Sequence, residues 1–194
     1  SLRVRWLGEQ QPYLWAALVA SGGVEWAAEP PWDLTVVVGT PLENPPPGPA
    51  LLVEADTPEA PLGDLQLPGQ WVVQADPLLE EVDVSDWIIP QVRPVALPEG
   101  ARVALRAGEV PAVVRWESPA GRRVLLTFPL RGSSLPASTG FPVFIRNALQ
   151  WLLPWRTGEG YVVGESISLP QGAELITPSG PVTGVWVPDA PGLY

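Results

Sequence analysis

Hydrophobic residues recur along the chain with two periods, and the change between these periods predicts an α/β fold. Apolar runs of strand length occur at residues 34–38 (LTVVV) and 50–53, while residues 2–7 alternate apolar and polar side chains. Residues 12–20 form a predicted helix that ends before the glycine pair 22–23, and residues 24–26 are a possible strand. A fully apolar strand is typical of the middle of a parallel sheet. The first third of the chain therefore predicts an open, partly parallel sheet.

The strongest helix signal lies in the last third of the chain. Six apolar residues recur there at helical spacing and make one continuous face: Phe141, Phe144, Ile145, Ala148, Leu149 and Leu152. Arg146, Asn147 and Gln150 are placed on the opposite face, and Pro154 ends the helix. A buried strand at residues 122–128 precedes it, so this strand–turn–helix unit indicates the fold class.

Shorter apolar segments predict the remaining elements and a division into two units. Strands are expected at residues 70–74, 102–107 and 112–117, and later at 166–169, 174–177 and 182–187, with a helical turn at 77–82. The S-P-A-G sequence at 118–121 predicts a tight turn, and hence an antiparallel meander. We therefore predict an α/β domain over residues 1–157, with an open, partly parallel sheet extended by this meander. A small β module, truncated at its end, is predicted over residues 158–194.

Composition removes several classes of function. The 194 residues include no Cys, His or Met, and all 11 basic residues are Arg. The chain thus lacks a thiolate nucleophile, the commonest general base and a Schiff-base lysine, so we expect no catalysis and neither a cofactor nor a metal. A net charge of −10 argues against nucleic acid and anionic lipid as partners. No apolar run is long enough to span a bilayer. Because a strand follows directly after Ser1, we expect a piece of a longer protein.

Two polar clusters have simple structural explanations. The acidic residues between 76 and 86 lack the spacing and the glycine of a calcium loop, so they are interpreted as solvated carboxylates: Asp76, Glu80, Glu81, Asp83 and Asp86. Two serines, Ser133 and Ser134, follow a core strand, where α/β enzymes often place a nucleophile. They do not form a G-x-S-x-G motif and have no His or Lys to activate them, so turn roles are favoured. Ser138 or Thr139 is expected to cap the following helix.

A possible interaction surface is predicted in the turn after the last core strand, because open α/β sheets bind at the carboxyl ends of their strands. Its residues are Leu130, Arg131, Ser133, Ser134 and Leu135.

Ten tryptophans are an unusual number, and most are expected in the core. Trp6, Trp71, Trp116 and Trp151 lie within apolar patterns. Exposure is expected instead for three others, which could form a shared binding surface: Trp15, Trp32 and Trp87.

Several stretches, taken in order, resemble a bacterial family. They are residues 2–18, WDLTVV at 32–37, PGPALL at 47–52, DPLL at 76–79, VDVSD at 82–86, FPVFIRNAL at 141–149 and WLLP at 151–154. The chain is similar to the glutamine amidotransferase-like region that follows the von Willebrand factor A domain in membrane-anchored, BatA-like proteins. Residues 164–169 and the terminal PGLY resemble the β module that follows in such proteins.

The resemblance implies that residues 1–157 form a flavodoxin-like, class I amidotransferase-like open sheet. It also implies that this domain lies on the outer face of the bacterial cytoplasmic membrane. Amidotransferases of this class use a Cys nucleophile and a His-Glu pair, and this chain has neither Cys nor His. Relatives usually show His where Asp76 stands, and F-D-L-R-D-S-D-L-P where this chain has FPLRGSSLP at 128–136.

Three hypotheses follow for function. The leading one is a non-catalytic interaction or scaffold domain of a membrane-anchored envelope protein, with protein partners or other domains of the same longer chain. Its membrane association would come only from segments outside this sequence. The second is a carbohydrate- or ligand-binding module that uses exposed Trp, and the third is a hydrolase with a carboxylate pair.

Overall fold

The computed structural model describes residues 1–156, 166–169, 171–172, 174–177 and 180–187. Eight strands build the main sheet: β1 (Leu2–Gly8), β2 (Val24–Trp26), β3 (Leu34–Val38), β4 (Ala50–Val53), β5 (Trp71–Val73), β6 (Arg102–Ala107), β7 (Val110–Ser118) and β8 (Gly121–Leu126). The helices are α1 (Pro12–Ala20) and α2 (Gly140–Leu152). Four short strands follow: β9 (Ile167–Ser168), β10 (Leu175–Thr177), β11 (Gly180–Val182) and β12 (Val185–Trp186). In the described ranges no helix reaches the length and apolar content needed to cross a bilayer.

The sheet combines a parallel half with an antiparallel half, in the order β2-β1-β3-β4-β8-β7-β6-β5. Every pairing from β2 across to β8 is parallel, and those from β8 to β5 are antiparallel. If β8 is counted as the fifth parallel strand, the parallel half has the 2-1-3-4-5 order of flavodoxin-like folds. The predicted α/β open sheet and its antiparallel meander are therefore confirmed.

The two faces of the sheet are covered differently. Both helices pack on one face, where α1 buries Leu14, Ala17 and Leu18 and α2 buries its predicted apolar face. The opposite face is covered by extended segments, which contribute Leu42, Leu62 and other apolar side chains. The connection from β3 to β4 contains no helix. Residues 54–70 and 88–101 also run as loops, apart from isolated bridges.

A buried arginine, Arg123, holds the proline-rich connection against this second face. Arg123 of β8 is completely buried; its Nε donates to Glu59 at 3.2 Å and its Nη2 to the carbonyl of Pro46 at 2.6 Å. Its Nη1 donates to the carbonyl of Gly48. Gly121 lies beside the same turn with φ of 142°, and an added Cβ would come within 2.5 Å of the Gly48 carbonyl carbon. Only glycine fits at this contact.

Element bounds differ from the predictions at a few places. Helix α1 and strands β3 and β4 match, whereas the predicted strand at 182–187 is two strands, β11 and β12, in different sheets. Asn147 does not lie on the outer face of α2. It is buried, and its amide donates to the carbonyls of Leu78 at 3.2 Å and Glu80 at 2.8 Å. The predicted domain boundary at 157/158 lies outside the described residues.

Candidate functional site

The carboxyl ends of the parallel strands meet along one edge of the sheet, where open α/β folds bind ligands. The strand order reverses direction between β1 and β3, so the chain leaves β1 toward α1 at this switch point. Gly8 ends β1 with φ of 91°, and an added Cβ would lie 2.0 Å from the carbonyl oxygen of Val38. The absence of a side chain at Gly8 allows the two strand ends to come together here.

The predicted interaction surface is only partly accessible. Leu130 and Leu135 are 2% and 0% exposed and belong to the helix-side core, so their side chains cannot contact a partner. Arg131 is 81% exposed, and its Nη2 lies 3.6 Å from Oε1 of Glu9. This ion pair joins the β8–α2 loop to the β1–α1 connection. A cleft of about 620 Å³, here called the loop cleft, lies between these segments and is lined by Tyr13, Arg131 and neighbouring residues.

The two serines of this loop hold its backbone. Ser133 Oγ donates to the carbonyl of Leu130 at 2.9 Å. Ser134 Oγ donates to the carbonyl of Asp86 at 3.0 Å and accepts the backbone N–H of Ile88 at 2.7 Å. Ser134 therefore ties the loop to the segment before β6, in agreement with the turn roles expected for both serines.

Neither predicted cap residue caps α2 with its side chain. Thr139 occupies the N-cap position but makes no side-chain cap hydrogen bond. Ser138 Oγ donates to the carbonyl of Leu135 at 2.8 Å instead. The expectation was wrong because the preceding 3₁₀ turn, Leu135–Ala137, supplies a nearer acceptor for the hydroxyl.

A second cleft lies on the other side of the β1–α1 connection and is lined by indole rings. Trp6 of β1, Trp15 of α1 and Trp26 of β2 surround a volume of about 510 Å³, together with Gln10 and Gln11. The rings of Trp6 and Trp15 meet edge to face, with centroids 6.0 Å apart. We call this the tryptophan cleft. Gln10, Gln11 and Pro12 line both this cleft and the loop cleft, so the β1–α1 connection forms a wall of each.

The structure changes the expected set of exposed tryptophans. Trp87 is 2% exposed and its ring packs edge to face on Phe144, so its predicted exposure was wrong. Trp15 and Trp32 are half-buried, and Trp32 lies outside the tryptophan cleft under the guanidinium of Arg5. Trp26, with 54% exposure, was not predicted. Its position in a three-residue strand beside a glycine pair was the available signal, because short strands of this kind form sheet edges.

The acidic group at residues 76–86 is not uniformly solvated. Asp76 has a side chain only 5% exposed and accepts two hydrogen bonds from Nε of Arg115, at 2.9 and 3.2 Å. The prediction was therefore wrong for Asp76, because an arginine from β7 reaches it. Hydrogen bonds from the backbone and side chain of Ser85 lower the pKa of the exposed Asp83 carboxyl. Among the described residues, no three potential metal-ligating side chains cluster together.

Glu54 is a feature of this edge that the sequence did not indicate. It follows β4 with φ of 45°, a conformation that costs energy for a residue with a side chain. Its Oε1 lies 3.5 Å from Nη2 of Arg93. Its Oε2 is buried and accepts no hydrogen bond from the described part of the chain. The turn after β4 thus combines a strained backbone conformation at Glu54 with a partly buried carboxylate.

Comparisons with known proteins support the fold alone. No family model and no curated protein matches the chain. The cytoplasmic protein STM1381 from Salmonella typhimurium LT2 is similar in structure, with a TM-score of 0.56 and 10% identity over 77% of this chain and 99% of that one. The cytoplasmic protein STM3548 from Salmonella typhimurium has a TM-score of 0.55 and 11% identity, over 78% and 99% of the two chains. At this identity the likeness shows the α/β open-sheet fold and carries no conclusion about function.

Proposed function

We propose that the chain is a non-catalytic interaction domain of a membrane-anchored bacterial envelope protein, built on an amidotransferase-like open sheet. The proposal rests on the side-chain hydrogen bonds of the β8–α2 loop, a position at which related folds place reactive groups. The hydroxyls of Ser133 and Ser134 both donate to backbone carbonyls. The sequence contains no His, Cys or Lys that could serve there as a nucleophile or base.

The same loop offers a surface for a protein partner or another domain of the same longer chain. Arg131 and Glu9 are largely exposed and pair at 3.6 Å, so their mutual attraction is weak in water. Arg131 is therefore free to exchange Glu9 for a partner's carboxylate. Tyr13, which is 61% exposed, lines the loop cleft beside it. Arg and Tyr are enriched at protein interfaces, which supports this assignment.

A turnover assay tests the non-catalytic part of the proposal. The purified protein is incubated with glutamine and with ester, amide and phosphate substrates, and product is followed for the wild type and for Ser133→Ala and Ser134→Ala. We expect no saturable turnover in any sample, because no activated nucleophile stands at the loop. Saturable hydrolysis that either serine substitution abolishes would show that the domain is an enzyme.

Site-specific cross-linking in the full-length protein tests the interaction surface. A photo-reactive amino acid is placed at Arg131 and, as a matched control, at Arg146, a half-exposed arginine of α2 that pairs with Glu81. We expect a discrete adduct, identified by mass spectrometry, from position 131 and none from position 146. Equal labelling at both positions, or no adduct at position 131, would contradict the proposed surface. Fractionation of the same cells tests the envelope location.

A further inference from the structure

The tryptophan cleft brings together aromatic side chains from three separate elements. Trp6, Trp15 and Trp26 belong to β1, α1 and β2, and their rings line one opening at the carboxyl edge of the sheet. Trp26 is 54% exposed, although burial of an indole is strongly favourable in water. Three neighbouring indoles around one opening, one of them more than half exposed, form the kind of aromatic cluster that binding sites use.

The polar groups of the cleft are uncharged and can both donate and accept hydrogen bonds. Trp6 Nε1 donates to the carbonyl of Glu9 at 2.9 Å. Within the described residues, Nε1 of Trp15 and Nε1 of Trp26 have no acceptor. Gln10 and Gln11 add side-chain amides, each with an acceptor oxygen and a donor nitrogen. None of the residues that line the cleft carries a charge.

We infer that the tryptophan cleft binds a neutral saccharide. A pyranose ring has an apolar C–H face, which stacks on the electron-rich face of an indole, and hydroxyls around its rim that donate and accept. The cleft offers both kinds of contact. A proline-rich peptide also docks on aromatic grooves, but its tertiary amides supply only acceptors and would leave the glutamine oxygens without donors. This site is distinct from the loop surface, so the inference does not depend on the proposed interaction role.

The size of the tryptophan cleft leaves room for more than one sugar ring. Its volume is about 510 Å³, which lies within the range of small-molecule sites. An oligosaccharide can therefore stack one ring on Trp26 or Trp15 and place a further ring beside Gln10 and Gln11. We expect a tetrasaccharide to bind more tightly than its monosaccharide.

A neutral glycan array followed by calorimetry tests the inference. The wild type is screened, and the best tetrasaccharide is titrated against Trp26→Ala, Gln10→Ala and the control Trp32→Phe, which alters a half-buried tryptophan outside the cleft. We expect Trp26→Ala to weaken binding at least about tenfold, because the stacking platform is lost. Gln10→Ala should weaken it several-fold, and Trp32→Phe should leave it unchanged. Circular dichroism is used to check that each variant is folded. Trp26 and Gln10 are both exposed, so we expect neither substitution to disturb the core.

Three results would overturn the inference. The first is the absence of binding to any neutral glycan at millimolar concentration. The second is an affinity that Trp26→Ala and Gln10→Ala leave unchanged. The third is binding of a polyproline peptide, lost in Trp26→Ala, without binding of any glycan; this would reassign the cleft to peptide recognition.

Discussion

Arg123 is a fully buried arginine in the middle of the loop-covered face of the sheet. Its guanidinium contacts the carboxylate of Glu59 and the carbonyls of Pro46 and Gly48, so each of its nitrogens has a partner. Desolvation lowers the pKa of Arg123, while the nearby charge and hydrogen bond of Glu59 act in the opposite direction. An arginine nevertheless stays protonated at neutral pH. One side chain thus fixes two segments that have no regular structure of their own.

Replacement of the Arg123 side chain should lower the free energy of unfolding substantially. Arg123→Met leaves the carboxylate of Glu59, 15% exposed, without its cation and two carbonyls without donors. We expect a loss of about 3–5 kcal/mol in the free energy of unfolding, measured by urea denaturation. Arg131→Met, at an exposed arginine, is the control and should change stability by no more than about 0.5 kcal/mol. Equal effects of the two substitutions would show that the buried pair does not stabilise the fold.

The sequence could not reveal the burial of Arg123. Arg122 and Arg123 are adjacent on β8, and strand alternation places them on opposite faces of the sheet. Both are buried: Arg122 donates to Glu117 and to the carbonyl of Trp151, while Arg123 reaches Glu59. Glu59 lies 64 residues from Arg123, and Trp151 lies 29 residues from Arg122, so no local pattern contains these two partners. The burial of Trp87 was missed for the same reason.

At the scale of elements, α2 shows what hydrophobic periodicity predicts and what it omits. The period gave the helix and its apolar face, with a start one residue from the observed Gly140. The same periodicity predicted that Asn147 lies on the solvent-exposed face, because a polar residue in an amphipathic helix usually faces water. Asn147 instead binds the carbonyls of Leu78 and Glu80, at the 3₁₀ turn Pro77–Leu79. The amide replaces hydrogen bonds that these carbonyls would otherwise make with water.

Removal of this amide should therefore destabilise the contact between α2 and the 3₁₀ turn. We expect Asn147→Ala to lower the free energy of unfolding by about 1–3 kcal/mol, because it removes both hydrogen bonds and leaves the buried Leu78 with a carbonyl that lacks this donor. Gln150→Ala on the exposed side of the same helix is the control, with an expected change within about 0.5 kcal/mol. Both are measured by chemical denaturation. A larger effect for Gln150→Ala would contradict this role for Asn147.

At the scale of the whole molecule, the sequence predicted the strands of the parallel half and the open-sheet class, because apolar runs of strand length report burial directly. It did not predict that helices would cover only one face. That outcome depends on the proline-rich connection and the long excursion between β4 and β8, whose packing rests on distant contacts such as Arg123–Glu59. The candidate site shows the same limit. The loop after β8 lies at the expected end of the sheet, but the side chains of Leu130 and Leu135 are buried in the core. The tryptophan cleft could not be predicted because it forms where three separate elements meet.

The predicted division of the chain into two units leads to a final prediction. All eight strands of the main sheet and both helices lie within residues 1–156, so a chain that ends at Arg156 should fold by itself. It would lose the hydrogen bonds from Nη2 of Arg122 to the carbonyl of Ser166 and from the Ser166 hydroxyl to Glu117. These two bonds correspond to about 1–3 kcal/mol of stability.

We expect a cooperative urea transition and dispersed amide NMR signals for the shortened chain. Ser166→Ala in the full sequence, which removes only the hydroxyl bond, should cost about 1 kcal/mol. A shortened chain with no cooperative transition would show that the last strands belong to the same folding unit as the sheet.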